Sequence, residues 1–119
     1  MKEIERGQIY YANLNDVVGS EQGGVRPILV IQNNVGNKYS PTIVIAPITT
    51  KTGKPQLPTH IKIDCYANIL PKDSVVLLEQ IRTIDKQRLG EYIGFLDKKI
   101  MADINKGIGI SVGLNKKYL

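Results

Sequence analysis

The chain has no tryptophan, one phenylalanine, one histidine and one cysteine. Each shortage excludes something. A lone Cys65 rules out an internal disulfide and a cysteine metal cluster. It reads as a buried or half-buried thiol in a reducing compartment. With His60 alone there is no histidine pair to ligate a metal. The carboxylates are not grouped at metal spacing, and there is no phosphate-loop lysine motif. No apolar run approaches the roughly 18 residues of a membrane span. The N-terminal Met1-Lys2-Glu3-Ile4-Glu5-Arg6 lacks the apolar stretch of a signal peptide. The expectation is a cytoplasmic protein whose chemistry uses no metal and no cofactor.

What is present is ordinary in amount. The 119 residues are 42% hydrophobic and 23% charged, which is normal for a globular chain. That length supports one real core, so one domain spanning 1–119 is expected. The formal net charge is +5 and the pI is near 9.4. Such an excess suits a polyanionic partner, either nucleic acid or an acidic protein segment.

One stretch stands out, Gly19-Ser20-Glu21-Gln22-Gly23-Gly24-Val25-Arg26-Pro27. It lies between two apolar runs, Ile9 to Leu14 and Ile28 to Ile31. Its glycines permit positive φ and close approach to a ligand. Pro27 stiffens the entry to the next strand and biases Arg26 toward an extended backbone. A glycine-rich loop ending on a stiffened arginine suits an anion; a plain hairpin loop with one surface arginine is the simpler alternative.

Along the chain, Gln8 to Leu14 reads as a strand from its β-branched and aromatic content. Pro27 to Gln32 is a continuous apolar run, so both of its faces should be covered. Asn33 to Asn37 is turn chemistry. Thr42 to Ile48 is a third strand in which Pro47 implies an edge or a bulge. Thr49 to Pro58 is a polar loop carrying Lys51 and Lys54. Thr59 to Asp64 alternates as a fourth strand. Ser74 to Ile84 begins as a buried strand and continues as an alternating one. Asp85 to Leu89 suits one helical turn, and Gly90 to Phe95 a last strand. Asp97 is a suitable N-cap. Ile100, Met101, Ile104, Ile108 and Val112 then recur at helical spacing, giving an amphipathic C-terminal helix. Gly107, Gly109 and Gly113 weaken it and point to close packing or fraying. Many short strands and one late helix predict a mainly β (α+β) small barrel or strongly curved sheet.

Two polar clusters could carry chemistry. One is Ser20, Glu21 and Arg26, with Gln22 beside them as a candidate RNA contact; the other is Thr49, Thr50, Lys51 and Lys54. If strands two and three are antiparallel neighbours, Arg26 opens one where Thr49 closes the other. A guanidinium grips phosphate oxygens in pairs, and a threonine hydroxyl donates one more hydrogen bond. That pair suits attack of an RNA 2′-hydroxyl on its own 3′-phosphate, where the substrate brings the nucleophile. Arginine is a poor general base, so Glu21 is the better acceptor for the 2′ proton. Arg26 would stabilise charge or protonate the leaving 5′ oxygen. Glu79, Gln80 and Arg82 follow a buried strand and could reach exposed base edges. Lys51 and Lys54 either contact phosphate or do nothing specific. Tyr10, Tyr11 and Tyr39 either stack on bases or pack. His60, mid-strand, reads as a structural or surface histidine.

Arg6-Gly7-Gln8-Ile9-Tyr10, the Gly19 to Pro27 segment and Ile48-Thr49-Thr50 resemble the MazF/PemK family of toxin endoribonucleases. Leu57-Pro58-Thr59-His60 and the run Leu78 to Leu89 are similar to its Gram-positive branch. The resemblance extends from about Arg6 to Leu89; beyond Gly90 it is only a helix in the expected place. It implies an SH3-like barrel with a C-terminal helix, working as a homodimer. It implies metal-independent cutting of single-stranded mRNA at short sequences, leaving a 2′,3′-cyclic phosphate and a 5′-hydroxyl. Arg26 and Thr49 match the family's catalytic pair, and Glu21 its loop glutamate. A MazE-like antitoxin with an acidic tail is the implied partner. Gyrase-poisoning (CcdB-like) relatives on the same fold lack that arginine and threonine. A basic barrel that binds nucleic acid passively is the third reading.

Overall fold

The computed structural model describes residues 3–50, 56–63, 69–70 and 72–115; Cys65 lies outside them. Strands β1 (Gln8–Asn13) and β2 (Val25–Val30) pair antiparallel, with Ile9 opposite Leu29 and Ala12 opposite Arg26. A helix α1 (Asn34–Tyr39) then leads into β3 (Thr42–Thr49), antiparallel to β2 with Ile28 opposite Pro47. The strands β4 (His60–Ile63), β5 (Ser74–Leu77), β6 (Arg82–Asp85) and β7 (Leu89–Phe95) complete the sheet, and α2 (Lys98–Ser111) follows. The path runs β4-β5-β3-β2-β1-β7, with β6 also on β3. Among the described residues it ends at β4 and β7 without closing. The expected mainly β architecture with a late helix is present as an open seven-stranded sheet. No described helix is long and apolar enough to cross a membrane.

Burial on both faces explains the continuous apolar runs. Ile9, Leu29, Ala46, Ile48 and Val76 face α2 and pack with Ile104. Tyr10, Ala12, Ile28, Val30, Ile43, Ile45 and Ile84 form a second cluster. Residues adjacent in β1, β2 and β3 therefore point into different cores, as the period of two requires. Tyr10 is core: its ring meets that of Tyr92 edge-on at 5.4 Å, and its hydroxyl donates to Gln8 Oε1 at 2.8 Å. Tyr39 is exposed on α1, with the Lys38 ammonium 5.4 Å from its ring centre.

Four local expectations change. Asn33 to Asn37 belongs to a short helix rather than a bare turn, because the Asn33 side chain caps it by accepting from Gly36 N at 2.8 Å. Pro47 sits in a central strand. It is tolerated because β3 changes neighbours beside it, from β6 along Thr42–Ile45 to β5 at Ile48 and Thr49. The run Ser74 to Ile84 is broken by a 3-10 turn over Leu78–Gln80, which turns Glu79 and Gln80 out of the ladder. Val112 lies past α2 and is exposed. The turn after β6 and the N-cap of α2 are as expected. Asp85 Oδ1 accepts from Gln87 N at 2.8 Å, and Asp97 Oδ1 from Ile100 N at 3.0 Å.

The glycines of α2 have separate uses. A Cβ on Gly107 would lie 2.4 Å from Leu78 Cδ1 and 3.5 Å from Ile61, so this glycine is the notch that admits Leu78. A Cβ on Gly109 would meet nothing nearer than 4.0 Å. Gly107→Val should therefore destabilise the fold by about 1–3 kcal/mol through overpacking. Gly109→Ala should stabilise it by up to about 1 kcal/mol through helix propensity. Urea midpoints moving in the same direction would contradict this assignment.

Burial raises the pKa of Tyr10, and Tyr92 and Glu5 add to the rise. The unfolded chain thus releases this proton first, near pH ~10. The stability Tyr10 contributes is complete below that pH and declines as pH climbs toward the folded value. Tyr10→Phe should flatten this alkaline decline in a denaturation series; an unchanged slope would assign it to other groups.

Candidate active site

The connection from β1 to β2 is folded, not a loose hairpin. Leu14 N donates to Gly24 O at 2.8 Å, and Glu21 N to Val18 O at 3.2 Å. Gly19 and Gly24 adopt φ of 57° and 77°, and Asp16 adopts 71°, the left-handed region where a side chain is strained. Arg88 Nη1 donates to the carbonyls of Asn13 and Asn15 at 3.1 and 3.2 Å, gripping the loop at its root. Gly23 packs so closely that a Cβ there would lie 2.5 Å from Val17 Cγ2.

That loop aims the arginine. Arg26 Nε donates to Gly23 O at 2.7 Å, and Nη1 reaches Ile48 O at 3.4 Å. Both acceptors are neutral carbonyls, so they orient the guanidinium without cancelling its charge. Burial lowers its pKa, but arginine starts so high that it stays protonated at neutral pH.

Arg26 and Thr49 each lie two residues beyond the Ile28–Pro47 pair. The period of two puts both on one sheet face, at one end. The guanidinium touches the carbonyl just before Thr49. Thr49 is 5% exposed and opposite Val75. It lines two shallow depressions. One, of about 190 Å³, is walled by Ser20, Gln22, His60, Glu79 and Gln80. The other, of about 180 Å³, is walled by Tyr11, Thr50, Lys72 and Ser74.

Glu21 stands apart. Its carboxylate accepts from Val18 N at 3.3 Å. It lines a third depression of about 350 Å³ with Gln22, Pro47, Glu79, Gln80 and Arg82. Gln22, Glu79 and Gln80 form the wall between this one and the Thr49 depression. Lys51 and Lys54 lie outside the described residues.

His60 is the residue that sequence reasoning left out of the site. Its Nδ1 accepts from Leu57 N at 3.2 Å, which leaves the proton of the neutral ring on Nε2. Nε2 contacts Glu79 Oε2 at 2.8 Å, and Glu79 Oε1 accepts from Thr59 Oγ1 at 3.0 Å. The ring is clamped at both nitrogens while forming part of the Thr49 wall. No local signal could reveal this, since Glu79 is brought near by β4–β5 pairing and the 3-10 turn.

Arg26 and Thr49 thus share one end of one sheet face, beside a concave polar wall that Thr49 lines and Arg26 does not; an oriented cation and a strand-end hydroxyl are the groups a phosphodiester calls for. The sequence pattern that defines PemK-like, MazF-like toxins of type II toxin–antitoxin systems matches residues 5–112. Endoribonuclease EndoA of Bacillus subtilis (strain 168) is 53% identical over 111 residues, covering 93% of this chain and 96% of its own. An endoribonuclease solved in complex with its cognate antitoxin, from a Mycobacterial species, superposes with a TM-score of 0.78 at 27% identity, over 94% of this chain and 97% of that one. MazF (Form-I) from Deinococcus radiodurans shares the fold, with a TM-score of 0.81 at 23% identity, over 95% of this chain and 99% of that one. By that agreement, along nearly all of its length, the chain belongs to the PemK-like, MazF-like toxin family of type II toxin–antitoxin systems.

Proposed function

We propose that this protein is a toxin endoribonuclease that cuts single-stranded mRNA at short specific sequences, and that residues 1–119 work as one toxin domain. The carrying observation is Arg26, tied to the Gly23 and Ile48 carbonyls on the sheet face that ends in Thr49. Identity of 53% across 93% of the chain to a Bacillus endoribonuclease supports the same reading.

In this mechanism the RNA supplies the nucleophile. Its 2′-oxygen forms a bond to the adjacent phosphorus, the bond to the 5′-oxygen breaks, and a 2′,3′-cyclic phosphate and a 5′-hydroxyl result. Arg26 and Thr49 donate hydrogen bonds to the phosphoryl oxygens, whose charge grows in the transition state. A half-buried cation stabilises that charge better than one in bulk water. Glu21 takes the 2′ proton, which requires its carboxylate to leave Val18 N and turn past Gln22. In this scheme the departing 5′-oxygen takes a proton from Arg26. The chemistry runs without a metal. Ser20, Gln22, Thr50 and Glu79 form the RNA-binding wall, with Lys51 and Lys54 supplying further positive charge; Gln80 stands in the same wall with its amide bonded to the loop backbone.

The open sheet is read as an SH3-like barrel, used as a homodimer in the cytoplasm. A MazE-like antitoxin is the natural inhibitor. The Mycobacterial relative was solved with its cognate antitoxin, and a net charge of +5 suits an acidic tail.

Arg26→Ala and Thr49→Val should each lower kcat on a one-site RNA by roughly 100- to 1,000-fold, with an unchanged circular dichroism spectrum. Cleavage by either folded variant at the wild-type rate would remove it from the mechanism. Glu21→Gln should slow the same step, and full activity would leave the general base to another group. Cutting should persist in excess chelator; loss that returns with added cation would reveal a metal requirement. No RNA product, together with inhibition of purified gyrase, would favour the gyrase-poisoning reading instead.

A further inference from the structure

Gln80 spends both ends of its side chain inside the protein. Its Oε1 accepts from Gln22 N at 2.8 Å, and its Nε2 reaches Ser20 O at 3.4 Å. The two contacts span nearly sixty residues of sequence and pin the tip of the β1–β2 loop. One residue past Gln22, the Gly23 carbonyl accepts the Nε proton of Arg26 at 2.7 Å.

The anchor on the other side is stiff. Leu78 is fully buried, its N donates to Thr59 O at 3.0 Å, and it fits the Gly107 notch. Glu79 is tied to Thr59 and His60. The 3-10 turn is thus fixed to β4 and α2. The loop it holds contains three residues at positive φ between Asp16 and Gly24. A strained segment keeps such a conformation only where its surroundings enforce it.

The geometry points to Gln80 as a positioning residue for the reaction. Its amide latches the loop to the 3-10 turn, and through the Gly23 carbonyl it sets the direction of the Arg26 guanidinium. The inference rests on the nuclease reading and deepens it. It also separates two uses of one side chain. An amide occupied by backbone aims the arginine, whereas an amide reading a base must release the loop.

The test uses the isotope-labelled full chain and a one-site RNA. The Arg26 Nε–H resonance, assigned by its disappearance in Arg26→Ala, should shift and exchange faster with water in Gln80→Ala. Gln80→Met keeps the length of the side chain and loses both bonds; it should move the resonance in the same way. In both variants kcat should fall by as much as roughly 100-fold, as for a small misplacement of a reacting group. KM and the cleaved sequence should not change. A resonance that stays in place in both variants overturns the latch. So does a raised KM or an altered cleavage sequence with kcat intact, since Gln80 would then be reading RNA. Wild-type protein that cuts no RNA refutes the nuclease reading; the resonance still decides whether Gln80 holds Arg26.

Discussion

Everything at the site depends on one guanidinium bonded to two backbone carbonyls. Gly23 O belongs to the loop before β2, and Ile48 O to the strand beside it. A carboxylate in either place would hold Arg26 as firmly and neutralise it. Carbonyls fix direction and leave the charge available for a bound anion. The arrangement needs the loop and β3 to stay in register, because a one-residue slip of β3 would turn Thr49 to the opposite face.

That register is over-determined. β3 is flanked by β2 on one side and by β6 and then β5 on the other. Both faces are buried, in clusters built on Leu29 and Ile48 and on Ile28 and Ile45. The loop is tied twice, by Arg88 at its root and Gln80 at its tip. The helix contributes at a distance. Gly107 admits Leu78, Leu78 fixes the 3-10 turn, and the turn presents Glu79 and Gln80 to the wall. A small residue on the far side of the core thereby shapes the depression beside Thr49.

Much of this was legible beforehand, for physical reasons. The apolar run at Ile28 reads as a two-sided strand, and the run at Ile43 as a strand. Asp97 followed by Ile100, Met101, Ile104 and Ile108 could only be a capped amphipathic helix. The glycines around Arg26 marked a loop that needs positive φ. Other features were hidden because they arise from partners distant in the chain. Pro47 reads as an edge residue until β3 is seen to exchange β6 for β5 beside it. Ser74 to Ile84 reads as one strand until Leu78 is drawn into the Gly107 notch. His60 reads as bland until Glu79 arrives opposite it.

Residue chemistry and short-range patterning settled most of the elements and the basic charge, and marked out an arginine-bearing loop and a strand-end threonine. These are local properties, set by propensity and period. Only the tertiary structure decided that Arg26 donates to the carbonyl preceding Thr49, that Glu21 faces a separate depression, and that Gln80 binds the loop. Such contacts join segments separated by long stretches of chain. Their geometry follows from strand register and core packing, which no single segment contains.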